Sequence, residues 1–365
     1  MNLSVFFVTE MYFQIDEESE DEEELGFVNR LSQKGIPQSC YMIAVINSLS
    51  SLAPLVDYLL QLDIDDSSLL SSFIKLLKKM RTVSNDCAEI IPLDFRARFV
   101  KLHPEFDDNQ QHDCGEFMMH MLEAFHKQTK FRVKLLENVH VSQRIFYHSN
   151  NGKFHSSEFR NLFMAQEHDM IICQNCGNIT HNYQPFMSIN LTSLDPLMTL
   201  EQLLEEDYYS HKTISYKCDN CNKTFNSTKK LTRFLRLPEI MTIIINRPCI
   251  NYNLNMLEHG GSPQTSKKFC RGKIDMKKYM SPSINTESKN LVYRLNSVIV
   301  HEKFNAISSS PDHMWKEHLG HYYSYCRHQD DWYILDDLDA STPKKCKFSE
   351  VSTSPASHMF FYIKS

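Results

Sequence analysis

The sequence predicts an α+β protein. Helical periodicity dominates roughly the first 130 residues, short β-branched and aromatic runs dominate the rest, and two Cys-x-x-Cys pairs stand in the middle. A length of 365 residues leads us to expect two or three packed subdomains around a sizeable core. Apolar residues make up 42% and charged residues 23%, as in ordinary globular proteins. With only 9 glycines, collagen-like, Gly-rich linker and phase-separating compositions are excluded. A formal charge of −6 argues against a general nucleic-acid binder.

The elements follow in chain order. Met1 to Phe13 shows neither a positive n-region nor a long apolar run, so no secretory signal is expected. Asp16 to Glu24 reads DEESEDEEE, and self-repulsion should keep this acidic tail (residues 1–24) extended and solvated. Without the eight carboxylates of Asp16–Glu24, 39 basic residues face 37 acidic ones, so the remainder is nearly neutral. From Ser39 to about Leu60 the apolar positions Met42, Val45, Ile46, Leu49 and Leu52 describe a helix. A second helix is predicted over Leu69–Met80. A third runs from about Asp113 to Phe125, with Phe117, Met121, Leu122 and Phe125 on one face. Asp113 is its N-cap, and Glu116 stands at capping-box spacing.

Strands are predicted at Met187–Leu191, Leu231–Leu237, Met241–Ile245, Leu291–Val300, Tyr322–Arg327, Trp332–Leu335 and Met359–Ile363. Their crowding toward the end of the chain suggests an antiparallel sheet. Asn251–Lys268, Ser281–Asn290 and Asn305–Glu317 read as loops. No stretch of about 18 uninterrupted apolar residues occurs, so no transmembrane helix and no membrane partner are expected.

The 11 cysteines, an odd number in a long chain, do not read as a disulfide framework. A reducing compartment, cytosol or nucleus, is expected, where cysteines serve as metal ligands, nucleophiles or small buried hydrophobes. Cys173-Gln-Asn-Cys176 and Cys218-Asp-Asn-Cys221 offer four thiolates, the donor set of a structural zinc ion with no open coordination position. Gly177, just after the first pair, suits the left-handed turn of a zinc knuckle. The separation of the pairs exceeds that of a compact ribbon and implies an insertion over Asn178–Lys217.

Cys40 precedes the first helical pattern. A thiol at a helix N-terminus faces the positive end of the helix dipole, which favours the thiolate, and its own amide would point toward a developing oxyanion. Gly320-His321-Tyr322 opens a strand pattern, and Asp336-Asp337 ends the next one. A Cys–His pair needs a third group to orient the imidazole, and either carboxylate could provide it.

Four ordered blocks make the sequence resemble the ubiquitin-specific proteases, papain-like cysteine deubiquitinases. Gly26-Phe27-Val28-Asn29 with Ser39-Cys40-Tyr41-Met42 resembles the cysteine box. Gln110-Gln111-His112-Asp113-Cys114-Gly115-Glu116-Phe117 resembles the QQDAQEF segment. The Cys-x-x-Cys pairs match the zinc-bearing fingers. Gly320-His321-Tyr322 through Trp332, Asp336 and Asp337 resembles the histidine box, and Met359-Phe360-Phe361-Tyr362 the final strand. The resemblance spans residues 25–365. It implies a thumb–palm–fingers fold, with a thumb at about 25–135, fingers at about 165–235 carrying a zinc ribbon, and a palm from the remaining strands.

It further implies Cys40 as nucleophile, His321 as general base, Asp336 as orienting acid and Asp337 in support. Asp113, Glu116, Gly320 and Tyr322 would line the substrate channel, the two carboxylates facing ubiquitin's basic C-terminal tail. The family's oxyanion Asn, five residues before the cysteine, is replaced by Gly35. Asn29 reaches that role only across a five-residue insertion, and Gln38 is a nearer amide. Ile43 stands where the family has Asn, and Asn246-Arg247-Pro248 where it has Lys-Arg-Phe. The expected function is hydrolysis of the isopeptide bond after the C-terminal glycine of ubiquitin, by a monomer with one structural zinc. The alternatives are an inactive ubiquitin-binding scaffold or a protease for a ubiquitin-like modifier.

Overall fold

In a computed structural model of the chain, the described residues are 31–32, 34, 36–82, 89–147, 153–193, 195, 198–247, 268–284, 286–287, 290–303, 320–339, 343–354 and 356–365. The acidic tail, Asn29, Gly35 and the predicted loops Asn251–Lys268 (except its last residue) and Asn305–Glu317 therefore lie outside them.

The first helix, α1 (Cys40–Ser50), is buried along its whole length. It is not continuous with α2 (Ala53–Leu60), which turns away by 84°. The single helix expected from Ser39 to about Leu60 is broken because Pro54 lacks an amide and its ring would meet the carbonyl of Ser50. In the first turn of a new helix both defects are harmless. Next come α3 (Leu69–Arg81), capped by Ser68 Oγ accepting from Ser71 N at 3.0 Å, and α4 (Leu93–Leu102), followed by one 3₁₀ turn, Pro104–Phe106. Helix α5 (Cys114–Thr129) buries Phe117, Met121, Leu122 and Phe125, the predicted face. Asp113 Oδ1 accepts from the amides of Gly115 (2.8 Å) and Glu116 (2.9 Å). Glu116 enters this cap through its backbone, and the residue is exposed.

Strands β1 (Phe131–Val133) and β2 (Phe154–Ser156) pair across the excursion that holds α6 (Val141–Tyr147), and α7 (Glu158–Phe163) follows. A four-stranded antiparallel sheet then takes β3 (Ala165–Ile172), β4 (Ile179–Phe186), β6 (Lys212–Lys217) and β7 (Thr224–Arg236) in the order β4-β3-β7-β6. After β4 the chain leaves this sheet for β5 (Ile189–Thr192) and α8 (Leu200–Tyr208), then returns to it with β6 and β7. Three of its strands, β3, β4 and β6, escaped the strand prediction. Gln166, Glu167, Asn182, Lys212 and Thr213 interrupt their apolar residues, as suits a sheet with exposed surface.

The larger sheet adds β8 (Ile240–Asn246), β9 (Lys273–Asp275), β10 (Val292–Lys303), β11 (Gly320–His328), β12 (Asp331–Leu335), β13 (Lys344–Cys346) and β14 (Ser357–Lys364). Its order is β13-β12-β11-β10-β14-β8-β5, with β9 beside β10. Each predicted strand run overlaps a strand of one of the two sheets. The sheet is antiparallel except for the parallel pair β5–β8. The chain travels through α8 and the smaller sheet between those two strands, a crossover long enough to restart in the same direction.

Both faces of this sheet are buried, and the period of two sorts its residues. Ile240, Ile244, Ile299, Tyr322, Met359 and Phe361 join the core shared with the helices. Met241, Ile243, Val298, Tyr323, Phe360 and Tyr362 join a second core against α8. Helix α1 lies across β11, and Asn296 of β10 donates to Ser51 O and Oγ at 3.0 Å, pinning the far end of that helix to the sheet.

Candidate active site

Cys40 begins α1. Ser39, the N-cap, turns its Oγ back to the carbonyl of Ile36 (2.7 Å) and gives the helix no side-chain cap, and no acidic residue lies in the first turn. The positive end of α1 therefore faces the Cys40 sulfur uncompensated. The preceding residue, Gln38, is exposed and holds a left-handed backbone (φ 59°), so the chain bends sharply into the helix.

Across from Cys40 stands the first turn of β11. Gly320 N donates to Gln111 Oε1 at 2.8 Å, and Gln111 Nε2 donates in return to the Gly320 carbonyl. The same Nε2 lies 3.8 Å from Cys40 Sγ. One amide side chain thus ties the start of the strand to the segment before α5 and stands beside the sulfur. A Cβ at 320 would collide with the Glu302 carbonyl and come within 2.7 Å of His301 Nε2, so glycine is required for this close approach.

His321 Nε2 lies 2.7 Å from Asp336 Oδ1 and 3.8 Å from Asp337 Oδ1. The hairpin register, Ser324 opposite Leu335, brings the end of β12 back beside the start of β11 and delivers these carboxylates. With Nε2 on Asp336, the other ring nitrogen is left for Cys40. Burial disfavours the imidazolium, but the hydrogen bond to Asp336, the one to Cys40 and the charges of both aspartates outweigh it, raising the His321 pKa to about 10. Asp336 itself is pushed up by burial, yet ends below the usual carboxylate range because His321 and the Leu338 amide (2.9 Å) bond its charged form. Asp337 is the more deeply buried of the two, its side chain only 1% exposed. The residues form a thiol, a base that holds a proton firmly and a carboxylate that orients the base.

Asp113 has a second partner besides the helix amides. Its Oδ2 faces His358 Nε2 at 3.5 Å. Burial alone would raise its pKa, but His358 and the two capping amides bring it to about 2, so the group is anionic. Glu116 points to solvent near it. Tyr322, expected in the substrate channel, is instead 1% exposed, with its ring stacked on His301 at 4.0 Å. The alternation of β11 turns Tyr322 toward the helices and His321 the other way. Gln111 and His358 went unread in the sequence. Gln111 was visible in a motif, but its partner lies 209 residues away.

The four cysteines meet at the tip of the smaller sheet. Their sulfurs lie within 4.8 Å of one another, and the Cys173–Cys221 and Cys176–Cys218 pairs are each 3.8 Å apart. A tetrahedron with spokes of about 2.3 Å has edges of about 3.8 Å, the dimensions of a zinc–thiolate site. Two matching turns shape it. Gly177 N bonds Cys173 O (3.0 Å) and Asn222 N bonds Cys218 O (2.8 Å), with left-handed φ values of 69° at Gly177 and 55° at Asn222. The donor set and the spacing fit a zinc ion.

Comparison with known proteins agrees with this architecture. A family model described as ubiquitin carboxyl-terminal hydrolase matches residues 33–362. The chain is 23% identical over 375 aligned residues to ubiquitin carboxyl-terminal hydrolase 21 of Homo sapiens, covering 90% of this chain and 61% of that protein. It is 26% identical over 269 residues to ubiquitin carboxyl-terminal hydrolase 14 of Saccharomyces cerevisiae, covering 70% of this chain and 31% of that one. The chain thus spans about three fifths of the length of the first of these relatives. Among solved structures, the SAGA Ubp8/Sgf11/Sus1/Sgf73 DUB module bound to ubiquitin aldehyde contains a chain of similar fold. Its TM-score is 0.67 at 15% identity, over 94% of this chain and 71% of that one.

Proposed function

Because this chain belongs to the ubiquitin carboxyl-terminal hydrolase family, we propose that it is a thiol isopeptidase that cuts the bond after the C-terminal glycine of ubiquitin. The observation that carries the reading is the ordered set Cys40, His321 and Asp336 at the junction of α1, β11 and β12. Cys40 sulfur attacks the glycine carbonyl carbon while His321 holds the sulfur's proton. The ring then gives that proton to the departing lysine amine, and a thioester joins ubiquitin to Cys40. His321 next takes a proton from water, the hydroxide displaces the sulfur, and ubiquitin leaves with a free carboxylate. Asp336 keeps the ring in the productive tautomer throughout.

Asp113 and Glu116 offer negative charge to the basic tail of ubiquitin. Cys173, Cys176, Cys218 and Cys221 would hold a zinc ion as a structural clamp, four thiolates leaving it no role in the chemistry.

Gln111 takes over part of the task of the oxyanion Asn. One of its amide hydrogens anchors Gly320 and the other lies toward the sulfur. Gln111→Ala is expected to lower kcat by about 10²-fold, the lower end of the cost of one lost oxyanion donor. Steady-state kinetics on a ubiquitin C-terminal fluorogenic amide measures this, and an unchanged kcat would remove Gln111 from the site.

The reading as a whole is tested with ubiquitin carrying a C-terminal vinyl or propargyl electrophile. The expected result is one covalent adduct per chain, mapped to Cys40. A folded chain that binds ubiquitin without reacting would make it a ubiquitin-binding scaffold, and adducts formed only with a ubiquitin-like modifier would change the substrate.

A further inference from the structure

We propose that His103, Glu105 and His120 form a second metal site, for a divalent ion of the zinc class, on the helical side of the molecule. The three side chains come from three elements. His103 is the C-terminal cap of α4, Glu105 sits in the 3₁₀ turn Pro104–Phe106, and His120 lies on α5. Their ligand atoms all lie within 4.8 Å of one another. His103 Nδ1 and Glu105 Oε1 are 3.3 Å apart, and the two imidazole centroids are 4.6 Å apart at an interplanar angle of 63°. Around an ion with nitrogen and oxygen ligands at about 2.0–2.1 Å, neighbouring ligand atoms of a tetrahedron stand about 3.3 Å apart. The His103–Glu105 pair already has that spacing.

An ordinary His–Glu pair would account for two of these residues and leave the third unexplained. The rings are also held in place. His103 packs on Phe99 at 4.9 Å, and the edge of Phe106 meets both His103 (6.5 Å) and His120 (5.6 Å). The His103 side chain is 18% exposed and that of Glu105 52%, so an ion can enter from the Glu105 side. Lys127 faces the cluster, and Glu123 at 3.5 Å offsets its charge. Two imidazoles with one carboxylate select zinc, nickel or copper over magnesium and calcium. Three protein ligands leave a further position for water.

The ion would brace the turn whose Phe106 packs on His112 (4.5 Å) and Tyr41 (6.2 Å), the neighbours of Gln111 and Cys40. It shares no ligand with the four cysteines, so the two sites separate experimentally. The full chain is equilibrated with buffered zinc and its bound metal is counted. Wild type should hold one zinc more per chain than Glu105→Gln or His120→Ala, and Cys218→Ser should lose a different equivalent. Cobalt(II) then distinguishes the sites by spectrum. The cysteine site gives intense thiolate charge-transfer bands, and the histidine site adds only weak visible bands that Glu105→Gln abolishes. Glu105 is exposed, so its variant remains folded even where His120→Ala does not. Equal zinc content and equal cobalt spectra in wild type and Glu105→Gln would overturn the proposal.

Discussion

Cys40→Ala is expected to abolish turnover of a ubiquitin C-terminal amide, with kcat falling by about 10⁵-fold or more. Removal of the nucleophile in an analogous triad protease costs about 2 × 10⁶. Ubiquitin affinity should stay close to that of wild type, because the sulfur lies at the reacting bond and contributes little to the wider contact surface. The fold should survive. Cys40 is 2% exposed, and replacing a buried thiol by a methyl group costs roughly 1 kcal/mol of packing. His321 is then left with Asp336 and Asp337 and loses its hydrogen bond to sulfur. Single-turnover kinetics beside a binding titration separates the two effects. Residual turnover at more than a hundredth of the wild-type rate would move the nucleophile elsewhere, and a parallel loss of binding would make Cys40 a structural residue.

Cys218→Ser is the second large effect, and it is structural. Cys218 is fully buried at the tip of the four-stranded sheet, where its amide also bonds Lys223 O at 3.0 Å. Structural zinc contributes about 10–16 kcal/mol of apparent binding free energy in small zinc-finger peptides. That is comparable to the whole stability of an ordinary domain, about 5–15 kcal/mol. The tip-side ends of β4 and β6 are largely exposed, so they add little apolar burial to hold the tip together. Hydrogen exchange should speed up across 165–186 and 212–236 in the variant. The strands of the larger sheet should keep their protection, since they have cores of their own on both faces. Metal content should fall by about one zinc per chain. KM for ubiquitin substrates should rise more than kcat falls, because the Cys40 chemistry sits at the start of α1 beside the larger sheet, away from the four cysteines. Wild-type protein recovered folded with no metal on its cysteines would refute the clamp.

The two sites were legible to different degrees. Cys173, Cys176, Cys218 and Cys221 declared themselves, because a Cys-x-x-Cys turn is local geometry written in four letters. Cys40 and His321 were legible only as an ordered set of motifs, since neither a lone cysteine nor one of 17 histidines carries a signal. The break between α1 and α2 had a local cause in Pro54, which the apolar periodicity of 42, 45, 46, 49 and 52 concealed. Tyr322 was misplaced for a related reason. Its neighbours suggested a channel, but the strand's alternation sends every second side chain to the opposite face.

What the sequence determined by itself was local chemistry: the helix caps, the thiolate turns, the strand runs and the fold class they compose. Those depend on residues within a few positions of one another. The tertiary structure alone decided that Gln111 grips Gly320 from 209 residues away, that His358 faces Asp113, and that His103, Glu105 and His120 converge. Such contacts depend on how α5 and β11 pack against α1, and packing is set by the complementarity of whole buried faces, which no short stretch of residues encodes.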